Sequence, residues 1–211
     1  MNLMAFIFSL VISFIGFHDD WKLVKQTEDF KVFIRKPADA KFEQIKIIAF
    51  SNARLSEAVA VFEDVAKHTD WNYSTGESHM LDPRSYNDFD YYITLDMPFP
   101  VKDRDVVINY TRQQDPVTKA VKIVSRSKSG VKDPLDAFIR INDFYSSYDL
   151  SIEPKGGIRI EYYLDADPGG NLPAWVVNLI TAKGPTQTMR SLLEILESRQ
   201  YADRPAKNIL D

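Results

Sequence analysis

Between Glu77 and Asp165 the chain alternates apolar and polar residues again and again, and a period of two confines such segments to strands with one dry face and one wet face. Phe89, Tyr91, Ile93, Leu95 and Met97 point one way, while Asp88, Asp90, Tyr92, Thr94 and Asp96 point the other. Pro98-Phe99-Pro100 stops that run. Val106, Ile108 and Tyr110 share a face within Asp105 to Arg112, as do Val121, Ile123 and Ser125 within Ala120 to Ser127, with Asp115-Pro116 as the turn between them. Phe138 to Glu153 and Gly157 to Asp165 meet at Pro154-Lys155-Gly156-Gly157, a hairpin signal with glycine available for positive φ. In the second of these, Ile158, Ile160, Tyr162 and Leu164 oppose Arg159, Glu161, Tyr163 and Asp165. Which face Phe138 to Glu153 turns inward stays open, because Arg140, Asn142, Ser146 and Tyr148 share parity and a bulge would switch it.

Upstream, Phe30 to Lys36 and Glu43 to Asn52 are rich in aromatic and β-branched residues and flank Pro37-Ala38-Asp39, so they read as a pair of strands. A helix capped by Ser56 follows, with Val59, Phe62, Val65 and Ala66 at helical spacing, and ends near His68 to Trp71. Consecutive hairpins with one apolar face need a cover. Asn171 can cap a second helix with Pro173 in its first turn, and Trp175, Leu179, Ala182, Thr186, Met189, Leu193 and Leu196 then form one apolar stripe. Pro185 has no N–H for the Thr181 carbonyl, so Gly184-Pro185 should bend this helix along a curved sheet. The fold class is therefore α+β, a curved antiparallel sheet with a long C-terminal helix across it. A length of 211 residues with 45% hydrophobic side chains supports one domain over residues 19–199, with a polar and loose tail at 200–211.

Residues 1–18 stand apart. Leu3 to Phe17 is an uncharged apolar run ended by His18-Asp19-Asp20, too short to span a bilayer, and resembles the core of an export signal. A marginal membrane anchor and a buried N-terminal helix are the competing readings. Export would place the protein in a bacterial periplasm, and an uncleaved segment would tie it to a membrane. A net charge of -4 gives no concentrated basic surface for nucleic acid and does not favour an anionic substrate. With no cysteine, thiolate catalysis, disulfides and thiolate metal ligands are excluded. His18, His68 and His79 lack a second histidine at ligand spacing, so no metal site is expected and they read as surface or loop residues.

Trp71 after the first helix, the run Met97 to Asp105, Phe138-Ile139-Arg140 and the run Asp165 to Trp175 together resemble the START (steroidogenic acute regulatory protein-related lipid transfer) family, in the right order over roughly Trp21 to Leu196. The resemblance implies a helix-grip fold with an internal tunnel for one lipid, no cofactor, transient membrane contact and a monomer. Carried onto this chain, the tunnel would be lined by Phe89, Tyr91, Ile93, Leu95, Val106, Ile108, Tyr110, Ile123, Ser125, Tyr148, Ile160 and Tyr162 from the sheet. Trp175, Val176, Leu179, Ile180, Met189 and Leu193 would form its floor. Tyr91 and Tyr110 stand where sterol carriers of the family often bury an acid and an arginine, and neutral phenols avoid burying a charged pair. Arg140 is the one residue to watch for a charged head group, Arg104 and Asp105 should pair to fix the start of their strand, and the opening is expected near Gln113 to Lys119 and Lys128 to Ala137. Two other readings remain open. Helix-grip enzymes of the polyketide cyclase type use the same kind of tunnel, although the inward residues include no His, Asp or Glu for acid–base work. An interaction module would instead have its tunnel filled by large side chains.

Overall fold

The computed structural model describes residues 20–179 and 183–211. Ten strands form one sheet: β1 (Lys22–Gln26), β2 (Phe30–Arg35), β3 (Gln44–Ser51), β4 (Thr75–Ser85), β5 (Asp88–Leu95), β6 (Arg104–Gln114), β7 (Val121–Ser127), β8 (Ile139–Arg140), β9 (Asp143–Ile152) and β10 (Ile158–Asp167). Their order is β1-β2-β3-β10-β9-β7-β6-β5-β4, all neighbours antiparallel, with β8 beside the start of β6 in parallel. The alternation read from sequence is the alternation of burial in β7, in β6 from Ile108 onward and in β10 from Ile158 to Tyr163, whereas Arg104 to Val107 of β6 are buried on both faces. Gly156 and Gly157 both take positive φ at the β9–β10 turn, and a Cβ on Gly157 would lie 2.3 Å from the Ser51 carbonyl oxygen, so only glycine lets that hairpin close against β3.

Helix α1 (Leu55–Glu63) starts at Arg54 rather than Ser56. Glu57 explains the shift: its carboxylate accepts from the Arg54 backbone N–H and side chain, which closes the first turn two residues earlier than a cap at Ser56 would. Ser56 lies inside the helix and donates from both its N–H and its hydroxyl to the Asp211 carboxylate, at 2.8 and 2.6 Å. The C-terminal segment is accordingly no loose tail. Tyr201 is buried and donates to Asp64, Ala206 donates to the Ser56 carbonyl, and Ala206 and Ile209 pack on the core. A one-turn 3-10 helix, Val65–Lys67, and α2 (His68–Trp71) lead from α1 into β4.

At the far end of the sheet, α3 (Ala174–Asn178) begins with Pro173 as its cap residue, not Asn171, and α4 (Gly184–Glu197) has Pro185 in its first turn, where the missing N–H costs nothing. Leu179 and Lys183, the residues flanking these helices, have helical dihedrals. The expected bend at Gly184-Pro185 involves Thr181, outside the described residues. Met189, Leu192, Leu193 and Leu196 of α4 join the core, and the helix packs on β3.

Candidate functional site

Between the concave face of the sheet and the helices lies an apolar hollow, an empty space of about 1240 Å³ with its opening included, of which about 170 Å³ admits the centre of a water molecule. The smaller figure is room for roughly ten waters, so this is no ordinary packing defect. Inward residues of four strands build its wall: Tyr91, Ile93 and Leu95 from β5, Val106, Ile108 and Tyr110 from β6, Ile123 and Ser125 from β7, and Tyr162 and Leu164 from β10. β9 settles its own parity. Ile141 is buried and faces the hollow, the chain breaks pairing between β8 and β9, and Phe144, Ser146 and Tyr148 then continue the lining. Inward positions step by three from Ile141 to Phe144, one residue more than the strand period, which is why Arg140 and Asn142 do not share the face of Ser146.

Other expected lining residues are elsewhere. Phe89 is buried but spent on a stacked contact with the Tyr110 ring at 4.3 Å, and Ile160 is fully buried core. Met189 and Leu193 are also buried without lining the hollow, because α4 beyond its first turns lies directly on the sheet, and Val176 of α3 is likewise buried outside the lining. Among the described residues of this region, Leu179, Gly184, Pro185 and Thr188 line it. Trp175 is 49% exposed, one position off the inward face that Val176 and Leu179 share. Ile180 lies outside the described residues. The lining residues Asn72, Tyr73, Ser74, Met97 and Leu179 keep partial exposure and form its rim, whereas neither Gln113 to Lys119 nor Lys128 to Ala137 reaches the hollow. The β6–β7 turn is at the opposite end of β6 from that rim, where Lys119 and Gln114 hold Asp211 and Leu210.

The polar chemistry of the wall differs from expectation in three ways. First, His68 is buried and lines the hollow, in edge contact with the rings of Trp71 and Tyr91 at 5.3 and 5.2 Å. Its Nε2 is 2.9 Å from the Phe62 carbonyl oxygen, which can only accept, so that nitrogen carries the proton and Nδ1 is the acceptor. Burial holds its pKa down to about 4, leaving a neutral imidazole at pH 7. A helical period from Phe62 through Val65 to His68 could have revealed this inward placement. Second, Arg104 and Asp105 do not pair. Successive residues of a strand face opposite ways, and Asp105 on the outer face accepts two bonds from Arg140 and one from Tyr92. Arg140 is thereby withdrawn from the hollow. Arg104 on the inner face donates instead to the carbonyls of Lys102, Pro168 and Gly169, stitching the loop after β10 to the start of β6. Third, two buried donors on the wall, Trp71 Nε1 and the Tyr110 hydroxyl, have no partner. Burial raises the pKa of Tyr91, Tyr110, Tyr148 and Tyr162 above the usual phenol value, so all four are neutral hydroxyls, with Ser125 beside Tyr91. Among the described residues no group of three His, Asp or Glu side chains is placed to hold a metal.

Comparison with known proteins places this geometry. The START domain family model matches residues 16–200, and the chain belongs to that family. An uncharacterized Pseudomonas aeruginosa protein, PA1579, is 24% identical over 86% of this chain and 89% of its own length. The bovine phosphatidylcholine transfer protein is 22% identical over 84% of each. In fold, a STAR-related lipid transfer protein from Xanthomonas axonopodis superposes with a TM-score of 0.78 at 22% identity, covering 85% of this chain and 99% of that one. Human STARD10 gives 0.73 at 21%, covering 88% and 77%. The helix-grip architecture is thus common to all of them.

Proposed function

We propose that the protein takes one lipid into the hollow between sheet and helices and carries it passively between membranes. The observation that supports this most directly is the hollow itself, about 170 Å³ of internal space walled by aliphatic and aromatic side chains. A tunnel filled by large side chains would have favoured an interaction module instead. Relatives that bear the name phosphatidylcholine transfer protein support a lipid as the ligand class. Near the rim, Phe99 is 95% exposed on the loop that follows Met97, and the half-exposed Trp175 follows the loop that contains Pro168. Apolar side chains held out to solvent there suit a transient contact with a membrane surface. Export to a periplasm rests on the apolar run of residues 1–18, which lies outside the described residues. Among those described, no helix is long and apolar enough to cross a membrane.

His68 supports a second reading, catalysis on an apolar substrate, since it brings a titratable imidazole to the wall. With its pKa near 4 it is a weak base at neutral pH, and it suits a hydrogen-bond acceptor better than a proton-abstracting group. The carrier reading predicts that protein purified from its own host carries a reproducible lipid in native mass spectrometry. Absence of any bound lipid, before and after incubation with a membrane extract of that host, would defeat it.

A further inference from the structure

Arg104 is the only formally charged residue among those that line the hollow, and no Asp or Glu shares the wall with it. It is 1% exposed. Its three nitrogens each donate to a main-chain carbonyl, those of Lys102, Pro168 and Gly169, and it has no carboxylate partner within ion-pair distance among the described residues. A guanidinium has five N–H groups, so these three bonds leave two unassigned. Carbonyl dipoles offset part of the cost of burying a cation but carry no net negative charge, and the carboxylate of Asp103 acts on the guanidinium only from beyond ion-pair distance while it accepts the Met97 N–H. The neighbouring Asp105, which could have supplied that charge, is turned outward and committed to Arg140 and Tyr92.

Position gives this charge a direction. Arg104, Val106, Ile108 and Tyr110 follow one another along the inner face of β6, so the cation and the innermost phenol are separated by six residues of strand, roughly 20 Å. Arg104 opens β6 on the rim side, paired with Leu95 two residues before the partly exposed lining residue Met97. Beyond it toward Tyr110 the wall offers aliphatic side chains, neutral phenols, Ser125 and a neutral imidazole. A ligand with one negative charge at one end and hydrocarbon at the other matches this sequence of environments. The negative surface of the protein as a whole does not bear on the point, because a buried cation acts over the few ångströms of its own site.

Resting on the carrier reading, we infer that the ligand is an anionic lipid, its single negative charge, a carboxylate or a phosphodiester, held by Arg104 at the rim and its chains directed toward Tyr110. Both head groups present the paired oxygens that a guanidinium fork binds, and a charge-assisted bond in a dry site discriminates against the uncharged analogue.

The test is competition read by native mass spectrometry of the whole chain. Equimolar palmitate and methyl palmitate are offered in one arm, and equimolar dipalmitoylphosphatidylglycerol and dipalmitoylglycerol in the other. The charged member should win by about tenfold or more in at least one arm, and the arm that shows it tells a carboxylate from a phosphodiester. Arg104→Gln should bring that ratio close to one, and Arg104→Lys should retain part of it. Should both variants fail to fold, the wild-type ratio still decides. Binding of both members without preference in both arms overturns the assignment of charge and leaves the carrier reading standing. Binding of none of the four also overturns the assignment of charge, and the carrier reading is then decided by the lipid retained from the host.

Discussion

The two faces of the β5–β6 region follow opposite rules within one residue of each other. On the outer face, Asp90 is 1% exposed and accepts from both Arg84 Nη atoms, from Lys128 and from Asn109. These donors hold its pKa down to about 2 against the upward pull of burial. At the inner end, Glu63 at the close of α1 faces Arg112, which continues the inward row of Tyr110. The two approach to 3.0 Å as an ion pair, yet Glu63 Oε1 and Arg112 Nε and Nη2 are left without hydrogen bonds. Burial outweighs the arginine there and pushes the Glu63 pKa up to about 7. Proximity of opposite charges is thus not enough. A buried carboxylate is stabilised when several donors converge on it and destabilised when one misaligned cation is its whole shell.

The outer network can be broken most severely at Asp105. Replacing it by Ala leaves Arg140 and Tyr92 without their shared acceptor, and the unfolding free energy from urea titration should fall by about 3–5 kcal/mol. A loss under 1 kcal/mol would show that the outer face is not built as described. Next in size are the opposed pH responses. Because the folded pKa of Glu63 is raised, its contribution is present below about pH 4.5 and is lost as pH rises to about 7, on the order of 3 kcal/mol. Asp90 has a depressed folded pKa, so its contribution is present above about pH 4 and is lost as pH falls through about 2, on the order of 2 kcal/mol. Glu63→Gln should flatten the first slope and Asp90→Asn the second, and exchange of these effects would invert the comparison. Smallest is a pair of phenols. Tyr92→Phe deletes a hydroxyl that donates to Asp105 at 3.0 Å and should cost about 1 kcal/mol, whereas Tyr110→Phe deletes an unpartnered one and should leave stability equal or raise it by about 1 kcal/mol. Equal losses at both would indicate that Tyr110 has a partner in solution.

How much of this could be read from the residues follows the same division. Strands with one dry face, such as β7, β10 and the later part of β6, announce themselves, because alternation is a direct record of burial. The edge strand β1 is exposed along its whole length and β4 along most of its length, so no pattern marked either as a strand. The inward set of β5 to β7 was legible for the same reason as the strands. What was not legible depends on distance in the chain: Asp211 on α1, Asp105 turned to Arg140 instead of Arg104, and α4 descending onto β3 so that Met189 and Leu193 pack rather than line. Neighbouring letters suggest pairs, but strand geometry sends them to opposite sides.

The indole of Trp71, with its N–H unpartnered on the wall of the hollow, also gives the molecule a built-in optical gauge. The other two tryptophans are placed differently, Trp21 in edge contact with Tyr163 and Trp175 half in solvent, so only one of the three meets whatever enters. With lipid delivered free of membranes, which Trp175 would otherwise meet, filling the hollow changes the polarity around a single chromophore, and the colour of the emission becomes a measure of occupancy without any label.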